Sequence, residues 1–118
     1  MSLDYRSVIK DTDAAAAELR KLIPETLTAF GALSRAAQTP GVLDGKTKEL
    51  IALAISVATR CDACIAYHAR GAFRTGAARE EIAEMLAVAI QMGGGPSLNY
   101  AAQALSAYDQ FHAAAAKT

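Results

Sequence analysis

Two thiols and an imidazole stand close together in this chain: Cys61, Cys64 and His68 occupy positions i, i+3 and i+7. At 3.6 residues per helical turn, that spacing puts all three within an arc of about 60° on one helix face. A Cys-x-x-Cys pair in a reducing compartment points to redox or metal chemistry rather than to a structural staple. If Cys61 falls in the first turn of its helix, the unpaired amides and the positive dipole end favour thiolate over thiol. Glu49 lies twelve residues before Cys61, so one continuous helix would hold the two about 18 Å apart. A chain reversal at Thr59 and Arg60 instead gives two antiparallel helices, with Glu49 facing the His68 region, one turn from Cys64. A carboxylate orienting an imidazole that takes a proton from a thiol is a relay of the kind that activates nucleophiles.

The elements that must position these groups read as helices throughout. The composition has 28 alanines beside 8 Gly, 3 Pro and no Trp, and Ala loses no side-chain entropy in a helix while fitting pleated surfaces poorly. Asp11 or Thr12 is placed to cap a first helix through Leu22, and Pro24 to start a second that runs to about Ala37. Leu27, Phe30, Leu33 and Ala37 then form one apolar stripe. A loop holds Thr39, Pro40, Gly41, Asp44 and Gly45. Lys46 to Arg60 follows as a third helix, apolar almost all round past Glu49, which predicts the central buried element. The fourth runs from about Cys61 to Phe73 and the fifth from Ala78 to Met92, with Glu80 and Glu81 suiting its N-terminus. Gly93 to Gly95 stop that helix, and Pro96 starts a sixth reaching about Ala115. The fold class predicted is all-α, a compact bundle of about six helices forming a single domain over residues 1–118.

Charge and hydropathy exclude several classes of function. Twelve Lys plus Arg balance twelve Asp plus Glu, for a formal net charge of zero, so the basic footprint of phosphate-backbone binding is missing and no nucleic-acid partner is expected. The longest uncharged run, Met85 to Tyr108, is broken by Gly93, Gly94, Gly95 and Pro96 and is not read as a membrane helix. The charged N-terminus MSLDYRSVIKDTD lacks the apolar segment of a signal peptide, which predicts a cytoplasmic protein. With 53% hydrophobic residues in 118, the chain has more apolar surface than a domain of this size easily hides, which predicts a homo-oligomer.

The stretch ELIALAISVATRCDACIAYHARGAFRTGA, from Glu49 to Ala77, resembles the carboxymuconolactone decarboxylase superfamily and, within it, the AhpD-like alkylhydroperoxidases. The likeness continues through EEIAEMLAVAIQMGGGPS and covers roughly Leu43 to Ser97. Glu49, Cys61, Cys64 and His68 coincide with that family's glutamate, two cysteines and second histidine. The resemblance implies that Cys64 attacks a peroxide as a thiolate and Cys61 resolves the sulfenic acid to a disulfide, while Glu49 and His68 relay the proton. It implies a peroxide substrate, a lipoyl or thioredoxin-type dithiol reductant, no cofactor, no metal, and an all-α subunit in hexamers, or else trimers. Ala63 departs from the pattern: the fully equipped AhpD motif has a histidine immediately before the second cysteine.

Blander readings stand beside these. Cys61 and Cys64 alone fit two buried small hydrophobes, or zinc ligands together with His68 and Glu49, although no second Cys-x-x-Cys is present. Glu49 alone fits a first-turn acid favoured by the helix dipole. Tyr67, Tyr100 and Met92 read as core or pocket lining, His112 as exposed and incidental, and Arg60 and Arg70 as solvated surface. The alternatives to a peroxidase are a non-enzymatic oligomeric module that senses redox state and, inherited from the superfamily, a lactone decarboxylase, against which the cysteine pair argues.

Overall fold

The computed structural model describes residues 3–117 and contains six α-helices: α1 (Tyr5–Leu22), α2 (Pro24–Gln38), α3 (Gly45–Ala58), α4 (Asp62–Arg74), α5 (Arg79–Gly93) and α6 (Gly95–Ala116). Each boundary has a local cause. Asp44 accepts a hydrogen bond from the Thr47 N–H at 2.8 Å and so starts α3, as an N-cap carboxylate does. Pro24 opens α2, where its missing N–H costs nothing. At α5 the Glu81 side chain reaches back to the Ala78 N–H at 2.9 Å. Among the described residues no helix is long and apolar enough to cross a membrane.

Helix α1 begins two turns earlier than its Asp11 or Thr12 signal predicts. Asp4 is the N-cap, accepting from the N–H groups of Arg6 and Ser7. The added turns bring Tyr5 and Ile9 into the core, four apart on one face. Tyr5 is wholly buried. Its hydroxyl donates to Gln103 and its backbone N–H to Gln110, both at 2.8 Å, while the Gln110 amide nitrogen donates to the Leu3 carbonyl. Burial pushes the Tyr5 phenol up to about 12. The two ends of the described chain are thereby fastened together.

The core differs from the prediction that α3 is the central buried helix. Only Leu53, Ser56 and Val57 of α3 are buried, whereas Ile51 and Ile55 are 45% and 57% exposed. The buried centre instead runs through Ile65, Ala66, Ala69 and Ala72 of α4 and through Ala101, Ala104, Ala107, Tyr108 and Phe111 of α6. Alanine faces let these two helices approach closely, and α3 packs against both. The stripe predicted on α2 is likewise uncovered: that helix has no buried residue, and Phe30 and Leu33 lie 64% and 62% exposed.

The reversals at the two ends of α4 have the same construction. After α3, Arg60 takes φ 56° and donates to the Val57 carbonyl, and the Cys61 N–H donates to the Ser56 carbonyl. After α4, Gly76 takes φ 88° and donates to the Phe73 carbonyl, and the Ala77 N–H donates to the Ala72 carbonyl. Both are Schellman caps, which want a residue without a Cβ at the left-handed position. Gly76 meets that need and Arg60 does not. Left-handed backbone costs a non-glycine residue about 1–2 kcal/mol, partly offset by the greater freedom a glycine has when unfolded. Arg60→Gly is therefore expected to stabilise the fold by about 0.5–1 kcal/mol, and Gly76→Ala to destabilise it by about 1 kcal/mol. Urea unfolding at one fixed protein concentration measures both.

Candidate active site

The turn at Arg60 delivers Cys61 as the N-cap of α4, in an extended conformation with φ −107° and ψ 103°. Its Sγ accepts a hydrogen bond from the Cys64 N–H at 3.2 Å, the position an N-cap side chain ordinarily serves. Cys61 thus lies one residue before the helix rather than inside its first turn, and Cys64 is the third helical residue. Cys61 and Cys64 form a disulfide with Cα atoms 5.2 Å apart. Both are half-buried, at the helix end where orphan amides and the dipole favour negative charge on sulfur once the bond is reduced.

The same reversal makes α3 and α4 antiparallel and sets Glu49 against His68. Glu49 Oε2 lies 2.8 Å from His68 Nδ1, with the two side chains 17% and 31% exposed. Against an ionised Glu49, Nδ1 carries the proton and donates, which leaves the Nε2 lone pair available. His68 follows Cys64 by one turn on the same face. All four residues singled out by type and spacing are therefore gathered at the α3–α4 hairpin. Among the described residues no group of three or more His, Cys, Asp or Glu is arranged to hold a metal ion.

One residue of the site escaped the sequence reading. A Cβ at Gly71 would overlap the Glu49 carboxylate, coming within 2.7 Å of Oε1. Gly71 is what lets that carboxylate lie against α4 and reach His68. The signal was present, because a glycine in mid-helix costs about 1 kcal/mol relative to alanine and needs a reason.

Other assignments divide. Tyr67 and Tyr100 are half-buried as pocket or core residues would be, but Met92 is 78% exposed and lines no core. The Tyr67 hydroxyl donates to Asp13, tying α4 to α1, and desolvation together with that bond pushes its phenol up to about 12. His112 is exposed as expected, with its ring edge-on to Phe73 at 5.7 Å.

The model of the carboxymuconolactone decarboxylase family matches residues 24–107. The chain belongs to that family. A crystal structure of an apo carboxymuconolactone decarboxylase family protein from Legionella pneumophila is 47% identical, covering 91% of this chain and 96% of that one, with a TM-score of 0.88. A family member from Thermotoga maritima, described with a suggested part in an antioxidative response, is 34% identical, with a TM-score of 0.73 over 79% of this chain and 96% of its own. An uncharacterized protein of Cupriavidus necator is 37% identical across 96% of this chain and its own full length. The family match thus spans the α3–α4 hairpin and the whole candidate site.

Because the obstructing atoms at Gly71 are the far end of a flexible side chain, Gly71→Ala is expected to leave stability unchanged or raised while parting Glu49 from His68. The 15N shifts of the His68 imidazole report the loss of the Nδ1 bond, and thermal unfolding reports stability. A retained bond would contradict the role given to Gly71.

Proposed function

We propose that this carboxymuconolactone decarboxylase family member is an AhpD-like thiol-dependent peroxidase or closely related disulfide oxidoreductase. The observation that carries the reading is a Cys-x-x-Cys disulfide at a helix N-terminus, one turn from an imidazole already oriented by a carboxylate. In the proposed cycle the Cys64 thiolate attacks a peroxide, forming an S–O bond as the O–O bond breaks. The leaving alkoxide or hydroxide takes a proton through His68, held in its tautomer by Glu49. Cys61 then attacks the sulfenic acid of Cys64, releasing water and closing the disulfide. A dithiol of the lipoyl or thioredoxin type returns both thiols. The cycle requires no cofactor or metal and suits a reducing compartment such as the cytoplasm.

His68 is one turn from Cys64 and nearly two from Cys61, so the proton donor sits with Cys64. Replacing Cys64 by Ser is expected to abolish peroxide consumption, whereas Cys61→Ser permits one turnover and leaves a sulfenic acid on Cys64. Glu49→Gln and His68→Gln each slow the reaction by about 100-fold, and the two losses do not add because one relay is broken. Dimedone labelling after a single peroxide dose, read by peptide mass, checks the assignment; a label on Cys61 in the Cys64→Ser protein at full rate reverses it. Ala63, where the fuller motif has a histidine, favours a second reading as an oligomeric redox sensor. Sustained peroxide turnover with a dithiol reductant separates the two, since a sensor is oxidised once and stops.

The subunit is proposed to act as a homo-oligomer, with a hexamer favoured over a trimer. The apolar surplus of so small a domain supports this: Phe30 and Leu33 of α2, Ile51 and Ile55 of α3 and Val88 and Met92 of α5 are all exposed. Light scattering at micromolar protein is expected to give a multiple of the 12.3 kDa chain mass; a monomer mass refutes it.

A further inference from the structure

On the flank of α4 turned away from the cysteines, α1, α4 and α6 line an open pocket of about 350 Å3. Its walls include Arg6, Arg70 and Arg74, and its apolar lining includes Ile9, Phe73 and Phe111. Ile9 and Phe111 belong to the core, and Phe73 packs against it. The concentration of cations is unusual in a chain whose formal net charge is zero. Among the described residues none of the three guanidinium groups forms an ion pair with a carboxylate. Two acids have other hydrogen-bond partners: Asp4 caps α1, with the Arg6 charge acting on it through space, and Asp13 accepts from the Tyr67 hydroxyl. Arg70 lies 5.5 Å over the Tyr67 ring, a contact that holds its head group in place.

We infer that this pocket binds an amphiphilic organic anion, with a carboxylate or phosphate head among Arg6, Arg70 and Arg74 and an aliphatic body against Ile9, Phe73 and Phe111. Planar guanidinium forks match either oxyanion in bidentate fashion. The pocket is at the small end of the range for sites of small organic molecules, and an apolar lining with a few convergent polar groups is their usual make-up. Arg70 and Arg74, four apart, share a face roughly 120° around α4 from the face of Cys64 and His68. The site is thus separate from the thiols, and the inference does not depend on the peroxidase reading.

Equilibrium dialysis of the full chain against octanoate, octan-1-ol and inorganic phosphate tests it. Octanoate is expected to bind saturably, with the alcohol, which lacks the charge, and phosphate, which lacks the tail, each at least about tenfold weaker. The double variant Arg70→Gln/Arg74→Gln is expected to weaken octanoate by about tenfold or more, and Arg6→Gln, on a different helix, to weaken it independently. Cys64→Ser is expected to bind octanoate as the parent does. Equal binding of octan-1-ol would reduce the pocket to a greasy cleft and overturn the proposal. Equal binding of phosphate would remove the aliphatic requirement, and unchanged affinity in the arginine variants, or loss in Cys64→Ser, would place the ligand elsewhere; each overturns it.

Discussion

Where α3 ends, the chain doubles back within three residues, and it does so because Arg60 accepts a left-handed backbone. That conformation aims the Arg60 and Cys61 N–H groups at the Val57 and Ser56 carbonyls near the end of α3, which would otherwise be orphan acceptors. The same bend sets Cys61 in extended geometry at the head of α4 and folds α4 back along α3. The N-cap sulfur, the pairing of Cys61 with Cys64 and the meeting of Glu49 with His68 all descend from it. A straight continuation would place the carboxylate and the thiols more than three turns apart on one rod.

Packing on either side of this hairpin depends on small residues. Ala66, Ala69 and Ala72 of α4 and Ala101, Ala104 and Ala107 of α6 are buried, and their small side chains let backbones approach where larger ones would hold them apart. Large aliphatics are correspondingly displaced outward on α2, α3 and α5. The result is an interior that mixes buried alanines with Tyr5, Leu53, Ile65, Ile82 and other large side chains, while further isoleucine, leucine and phenylalanine lie on the outer faces.

The six helices were legible because Pro24, Asp44, Gly93 to Gly95 and Pro96 punctuate the chain by mechanisms that act locally. The gathering of Glu49 with His68 was legible too, because only a reversal at Thr59 and Arg60 makes their spacing useful. What the sequence hid is non-local. Asp4 competes with Asp11 and Thr12 as a cap, and what decides between them is the slot for Tyr5 on α6, about a hundred residues away. The burial of α3 was misread because apolarity all round a helix says that its faces avoid water, not which neighbour covers them. Gly71 was visible as a mid-helix glycine, but its purpose appears only once Glu49 is seen lying against it.

The fastening of the first helix to the last has a consequence for how the chain is made. Tyr5 hydrogen-bonds Gln110 and Gln103 across separations of 105 and 98 residues. At a synthesis rate of about 5–20 residues per second, an aromatic residue made about a hundred residues before its partners waits on the order of 5–20 s for them to exist. Closing so long a loop is also entropically uphill until α6 docks. The α3–α4 hairpin, whose contacts are near in sequence, is under no such delay. The prospective reactive centre is therefore available to assemble before α6 exists, and the clasp between α1 and α6 has to wait for it.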